Sequence, residues 1–347
     1  MSGTSFEPAR FWRDPRQTRL LDLDPCAGRW HHAAIDRLAS RLGPGDLLIV
    51  NDAATLPASL TGSSCRGPVE IRLAAMLADD RWRALAFGGG DWHVPTELRP
   101  TAPLAVGDRL ELAGLGATIA HVDGERLVTL VFDRRGAALW RALYAAGRPI
   151  QYSYLAAELP LWALQNVYAS RPWAVESPSA GRGLTWELLG VLRRRGVGLA
   201  RLTHAAGLSS TGDPGLDATL PWPERFTTPA ATFAAIGTAR RRGGRVIAVG
   251  TSVVRALEGV GRDDPDAFAR AVDHVGTTDL VLGPDDRLAV VDGLLTGLHE
   301  PSASHFQLLQ AFARGEVIEA AYRDAVARGY LGHELGDANL ILCASGA

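Results

Sequence analysis

An α/β fold interrupted by a small antiparallel β-barrel is predicted by three features of this 347-residue chain. The stretch Val246-Ile-Ala-Val-Gly-Thr-Ser-Val-Val-Arg-Ala-Leu-Glu258 runs from four apolar residues through Gly250 into a segment where Val253, Ala256 and Leu257 share a helical face. Between about Pro68 and Asp133 the texture changes. Val69, Ile71 and Leu73 alternate with their neighbours, as do Leu127, Thr129 and Val131, and Asp123-Gly124 forms a hairpin turn. Beyond Asp133, helical and strand patterns alternate again. The expected organisation is a discontinuous, barrel-like α/β domain over residues 1–67 and 134–347, with the inserted β-barrel over residues 68–133.

Taken in order, Asp36 caps a short helix that ends at Leu42, before Gly43-Pro44-Gly45. Residues 47–50 read as a buried strand finishing in Asn51-Asp52, a polar pair suited equally to ligand contact and to a turn. Gly88, Gly89 and Gly90 mark a loop, and because no helix pattern follows them they form no phosphate cradle. Helices are expected over residues 137–146, 186–195 and 230–242, each stopped by glycine. The second and third end in arginine triplets, which suit the negative end of the helix dipole.

In the opening stretch, Thr251 or Ser252 caps the helix, while Arg255 and Glu258 lie off its apolar face. Arg255, one turn in, can reach an anion beyond the strand's carboxyl end, where α/β folds bind ligands. Residues 267–273 make a short helix and 276–282 a strand. A helix from Ser302 carries His305, Leu308, Leu309 and Phe312 on one face, residues 317–328 make the next, and a last strand follows Asp337.

Hydrophobic residues make up 47% of the chain and charged residues 21%, which excludes the disordered and membrane-spanning classes. A net charge of -2 gives no general basic field, so any RNA contact rests on a local patch. The chain contains no lysine, which excludes Schiff-base and lysine-nucleophile chemistry. Cys26, Cys65 and Cys343 form no metal-ligand spacing and are expected to be reduced thiols. Without an apolar leader or a membrane span, the protein is expected in the cytoplasm.

The motif A-V-G-T-S-V-V-R-A-L-E, ending at Glu258, resembles the A-V-G-T-T-S-x-R-x-L-E signature of the S-adenosylmethionine:tRNA ribosyltransferase-isomerases of the queuosine pathway. Val291-Asp-Gly-Leu-Leu-Thr-Gly-Leu-His-Glu-Pro301 resembles their V-D-x-L-x-T-N-F-H-L-P, and Gly45-Asp-Leu-Leu-Ile-Val-Asn-Asp52 their G-D-x-L-V-x-N-D. Weaker likenesses run nearly end to end, including Ser177-Pro-Ser-Ala-Gly-Arg-Gly-Leu-Thr185, Leu202-Thr-His204 and Gly336-Asp-Ala338.

The resemblance implies transfer and isomerisation of the ribosyl part of S-adenosylmethionine, as co-substrate, onto a 7-aminomethyl-7-deazaguanine in tRNA. It implies no metal. Such chemistry asks for a base at the ribose 5′ methylene, an acid near the departing adenine, and a partner for the donor's carboxylate. His299, His204 and Asp292 are the expected proton-transfer and orienting residues. Asn51, Asp52, Ser179, Gly181, Gly250, Thr251, Ser252, Arg255, Glu258 and Thr296 are the expected substrate contacts, with Arg255 as the carboxylate clamp.

The chain departs from the family pattern in three places. Ser59 stands where the family has arginine, Gly183 where it has histidine, and an H-x-M-H-x-E segment survives only as Glu224. If these were acceptor-side groups, transfer to the modified tRNA would be weak while donor binding persisted. Two alternatives therefore stand beside the family reaction: a transferase acting on a different acceptor, small molecules included, and a non-catalytic binder of S-adenosylmethionine or a nucleoside.

Overall fold

The computed structural model describes residues 5–77, 80–300 and 304–344. Its central feature is a mixed nine-stranded sheet. The spatial order is His274–Thr278, Glu224–Thr228, Gly198–His204, Leu47–Asn51, Val246–Val249, Gly293–Gly297, Ala338–Leu342, Arg19–Asp24 and Arg29–Ala34. The four strands from Gly198–His204 to Gly293–Gly297 run parallel, and Ala338–Leu342 lies antiparallel to the last of them. The continuous apolar runs of Leu47–Asn51 and Val246–Val249 are explained by burial on both faces. Leu47, Ile49, Val246 and Ala248 enter one core, packed by the helices Ala230–Arg241, Thr251–Asp263 and Gly315–Ala327. Leu48, Val50, Ile247 and Val249 enter another, covered by Leu38 and by Leu188, Leu189 and Leu192 of the helix Trp186–Arg194.

The second body is a closed antiparallel barrel, in the order Leu115–Asp123, Leu127–Phe132, Arg81–Phe87, Gly67–Met76, Ser59–Ser64 and Arg109–Leu112, the last pairing back to the first. The fold is thus α/β with an inserted barrel, and the closed barrel is the inserted one, since the nine-stranded sheet keeps two edges. Alternate residues such as Val69, Ile71 and Leu73 fill the barrel, and Leu139, Ala142 and Leu143 of the helix Gly136–Ala146 join its core. The barrel's first strand starts at Ser59, ahead of the expected boundary at residue 68. Its Ser-Leu-Thr-Gly-Ser-Ser composition carries too few apolar residues to signal a strand.

Several local expectations are corrected. The helix at Thr251 is capped by Gly250 at φ 92°, and no side chain performs the capping. Residues 267–273 shorten to the helix Ala267–Arg270, and the expected strand over 276–282 is displaced to the edge strand His274–Thr278. The helix expected from Ser302 is seen as Ser304–Leu309, its proposed start lying outside the described residues. Cys26 and Cys343 form a disulfide, with Cα atoms 5.4 Å apart, while Cys65 is free. The reduced-thiol expectation fails for that pair because the neighbouring parallel strands Arg19–Asp24 and Ala338–Leu342 end side by side.

Asp337, of the Gly336-Asp-Ala338 motif, is a structural node. Its carboxylate accepts hydrogen bonds from Arg13 and from the backbone and side chain of Arg19, tying the amino-terminal segment to the last strand. Among the described residues, no helix is long and apolar enough to cross a membrane.

Candidate active site

A cleft of about 660 Å³ opens beyond the carboxyl ends of the parallel strands. The strand Val246–Val249 turns there through Gly250, whose positive φ suits glycine, into the helix Thr251–Asp263. Gly250, Thr251, Ser252, Arg255, Thr296 and His299 all line this cleft. The amino end of a thirteen-residue helix therefore faces the cleft.

Arg255 is the one arginine among the lining residues, and it is already engaged. Its Nη1 donates to Glu224 at 2.6 Å and its Nε to the Leu280 carbonyl at 2.9 Å. Its Nη2 has only a long contact, 3.5 Å, to the Thr278 carbonyl. All three guanidinium nitrogens thus have partners within the protein, and the contact of Nη2 is the longest of them.

Thr296, at the end of its strand, hydrogen-bonds His299 Nε2 at 2.8 Å. The His299 ring stacks on His305 with centroids 5.0 Å apart. Burial, reinforced by His305 and His333, holds the His299 pKa well below the ordinary imidazole range. His299 is thus neutral at pH 7.

The cleft also carries acidic groups, of which only Glu224 had been singled out in the sequence. Glu176, Glu224 and Glu334 all line the cleft. Burial, with the Glu334 charge added, raises the Glu176 carboxyl to about 8, so it is protonated at neutral pH. Glu334 accepts the hydroxyl proton of Tyr154, which stacks on Tyr152 at 5.5 Å. Burial foremost, then the Glu334 charge, pushes Tyr154 far above the usual phenol range, so it remains a donor. Glu176, Glu334 and the two tyrosines sit on irregular segments with no periodicity to mark them, whereas Glu224 begins the strand Glu224–Thr228.

The other expected site residues lie elsewhere. His204 is fully buried and absent from the cleft lining, with neither ring nitrogen hydrogen-bonded and Nε2 3.6 Å from Glu224. Burial lowers it to about 4. Asn51 accepts from the N–H groups of Ala53 and His204 and donates to the His204 carbonyl, stitching two strands together. Asp52 accepts from Ser170 and Thr203 in the interior.

Ser179 lines the cleft, but Gly181 supports it from behind, where an added Cβ would meet the Tyr168 hydroxyl at 1.7 Å. Glu258 is wholly buried and accepts the backbone N–H groups of Ala289, Val290 and Val291. It was placed off the apolar face because its type is charged, yet it closes a loop. Asp292 accepts the Val246 N–H at the amino end of its strand, the end away from the cleft.

The three departures also find their places. Ser59 donates to Glu70, whose charge is balanced by Arg72 and Arg99 at 2.7 and 2.6 Å. At Gly183 an added Cβ would come within 2.8 Å of Ile35, so this position is a packing contact and does not line the cleft. Glu224 alone faces the cleft.

A family model described as "Queuosine biosynthesis protein" matches residues 7–341. The S-adenosylmethionine:tRNA ribosyltransferase-isomerase of Gluconacetobacter diazotrophicus is 37% identical over 346 residues, covering 96% of this chain and 91% of its own. The protein of the same name from Anaeromyxobacter dehalogenans (strain 2CP-C) is 35% identical over 336 residues, covering 94% and 92%. A crystal structure of S-adenosylmethionine tRNA ribosyltransferase from Thermotoga maritima matches with a TM-score of 0.53 and 26% identity, covering 97% of this chain and 96% of that one.

Proposed function

The chain belongs to the queuosine biosynthesis protein family, and from that premise we propose that it transfers and isomerises the ribosyl part of S-adenosylmethionine onto a 7-aminomethyl-7-deazaguanine in tRNA. The observation that carries the reading is the convergence of Arg255, the Thr296–His299 pair and protonated Glu176 on one cleft at the sheet's carboxyl end. S-adenosylmethionine serves as co-substrate and tRNA as acceptor. The reaction belongs in the cytoplasm with its tRNA.

Each step then has a group suited to it. The donor's sulfonium acidifies the ribose 5′ methylene, and neutral His299, oriented by the Thr296 hydroxyl, takes that proton. Adenine leaves more readily when protonated, and Glu176 carries a proton up to about pH 8. The helix amino terminus, with Arg255 Nη2 exchanging its long contact to the Thr278 carbonyl, takes the methionine carboxylate. Glu224 and Glu334 set negative charge along the wall that meets the sulfonium and the donor's amino group.

The alternatives, another acceptor or a non-catalytic binder, are not favoured. The named relatives match over nearly the whole chain, and neither Ser59 nor Gly183 faces the cleft. Ser59 and Gly183 therefore give no ground for a failing acceptor side in this cleft.

The test is to incubate enzyme, S-adenosylmethionine and tRNA bearing the aminomethyl-deazaguanine, and to follow adenine and methionine. Release that depends on the modified tRNA is expected. The His299→Asn variant should lose ~10²–10⁴ in kcat while donor affinity by calorimetry stays near wild type. Release that ignores the tRNA would sink the reading, and equal losses in binding and turnover would make His299 structural.

A further inference from the structure

A second, smaller cleft of about 250 Å³ lies where the barrel meets the sheet, and it adjoins the first through Gly207, Leu208, Leu220 and Glu224. The barrel supplies Met76, Trp82 and Arg83, and the α/β part supplies Trp173, Trp222 and Arg225. Its volume is below the ~300–1,000 Å³ of sites that enclose a whole small molecule. It suits one flat ring whose remainder stays outside.

The walls specify the ring's chemistry. Three guanidinium groups sit over two tryptophans: Arg225 lies 4.0 Å from the Trp173 ring centroid, Arg171 lies 5.7 Å from the same ring, and Arg83 lies 5.2 Å from Trp222. Elsewhere in the molecule shielded arginines are held either by backbone carbonyls, as Arg126 and Arg182 are, or by carboxylates. Arg72, Arg99, Arg245 and Arg255 each pair with one at 2.6–2.7 Å. Arg83, Arg171 and Arg225 form no ion pair with a carboxylate among the described residues. Burial lowers the pKa of Arg225, the mark of a cation without a counter-charge. Trp82, 2% exposed, has an indole N–H with no acceptor. Stacking faces, an unused buried donor and unpaired cations together describe a site for an aromatic base joined to phosphates.

We propose that this second cleft receives the base of an RNA nucleotide adjoining the one that reacts, stacked on Trp173 and Trp222, with Arg83, Arg171 and Arg225 meeting the flanking phosphates. The proposal rests on the tRNA reading for the occupant's identity and on the shared wall for its position. A local basic, aromatic patch also answers how a chain of net charge -2 holds RNA.

The experiment measures binding of a fluorescent RNA hairpin with an unpaired loop, by anisotropy over a salt series, to the full chain and to Trp222→Ala, Arg83→Ala/Arg225→Ala and Arg225→Lys. Calorimetry with S-adenosylmethionine serves as the check on folding. Trp222→Ala should bind about ten-fold or more weaker, as loss of a base–aromatic stack implies. The double arginine variant should bind weaker with a salt slope shallower by ~0.7 for each lost phosphate contact. Arg225→Lys should keep most of the slope, and donor binding should be unchanged throughout. Wild-type protein that ignores the hairpin overturns the proposal, as do variants that bind within two-fold at unchanged slope. Adenine release with modified tRNA is scored separately. Release by variants at the wild-type KM for tRNA removes this site alone. Hairpin binding through this site without any release removes the reaction and leaves the site.

Discussion

Glu176 bears the largest chemical demand of any residue in the main cleft, because an acid for adenine must still hold its proton at pH 7. Burial and Glu334 raise its carboxyl from the ordinary 4.5 to about 8. The native state therefore prefers the protonated form more than the unfolded chain does. The resulting stability is complete below pH ~4.5 and is lost as pH rises through 8. Glu176→Gln keeps the shape and removes the ionisation. Thermal unfolding of the variant should consequently fall less between pH 5 and pH 9 than that of wild type. Its kcat should be lower by ~10²-fold with the basic limb near pH 8 gone. An unaltered pH profile would show that Glu176 neither ionises there nor gives up a proton in the reaction. The neighbouring Tyr154–Glu334 bond makes the same point about scale, since neither residue falls in any spaced motif yet both meet at the cleft.

At the scale of elements, the helix Thr251–Asp263 divides a single motif between two tasks. Its first turn, with Thr251, Ser252 and Arg255, faces the cleft, while Leu257 and Glu258 point into the core. Glu258 closes the Ala289–Val291 backbone against the helix through three N–H bonds of 2.8–2.9 Å. Removing the carboxylate leaves three donors without a partner, at ~1–3 kcal/mol each before relaxation. Glu258→Ala should cost about 3–5 kcal/mol in urea unfolding, with donor affinity of the folded protein retained. A loss under 1 kcal/mol would mean that water replaces the carboxylate.

The strand and helix were legible here because Val246 to Val249 are continuously apolar and Val253, Ala256 and Leu257 repeat at helical spacing. The task of Glu258 was not legible. Periodicity reports where a side chain points, and a charged type on a buried position contradicts the hydrophobic pattern that periodicity uses. Asn51 and Asp52 illustrate the converse, polar residues at a strand's carboxyl end that hold neighbouring strands instead of ligand.

For the molecule as a whole, the alternation that marked the barrel and the parallel strands is local information, whereas the order of strands is not. The Cys26–Cys343 bond depends on that order. The register places Ile341 beside Leu23 in two parallel strands, so both chains leave the sheet at the same edge and the cysteines just beyond meet. Nothing in the sequence between two cysteines separated by 317 positions records that meeting. The strand Ala338–Leu342 runs antiparallel to Gly293–Gly297, whose carboxyl end forms the cleft, so the disulfide lies at the far end of the sheet. Cross-linking residues so distant restricts the unfolded chain strongly, and ~2–4 kcal/mol is the usual gain. Oxidised wild type should therefore unfold at higher urea than Cys26→Ser/Cys343→Ser, by that amount. Reduced wild type should match the variant, and adenine release should be equal in all three. Equal midpoints for oxidised and variant protein would show that the pairing constrains nothing. A loss of activity in the variant would place strain from this edge at the cleft, against the separation that the sheet imposes.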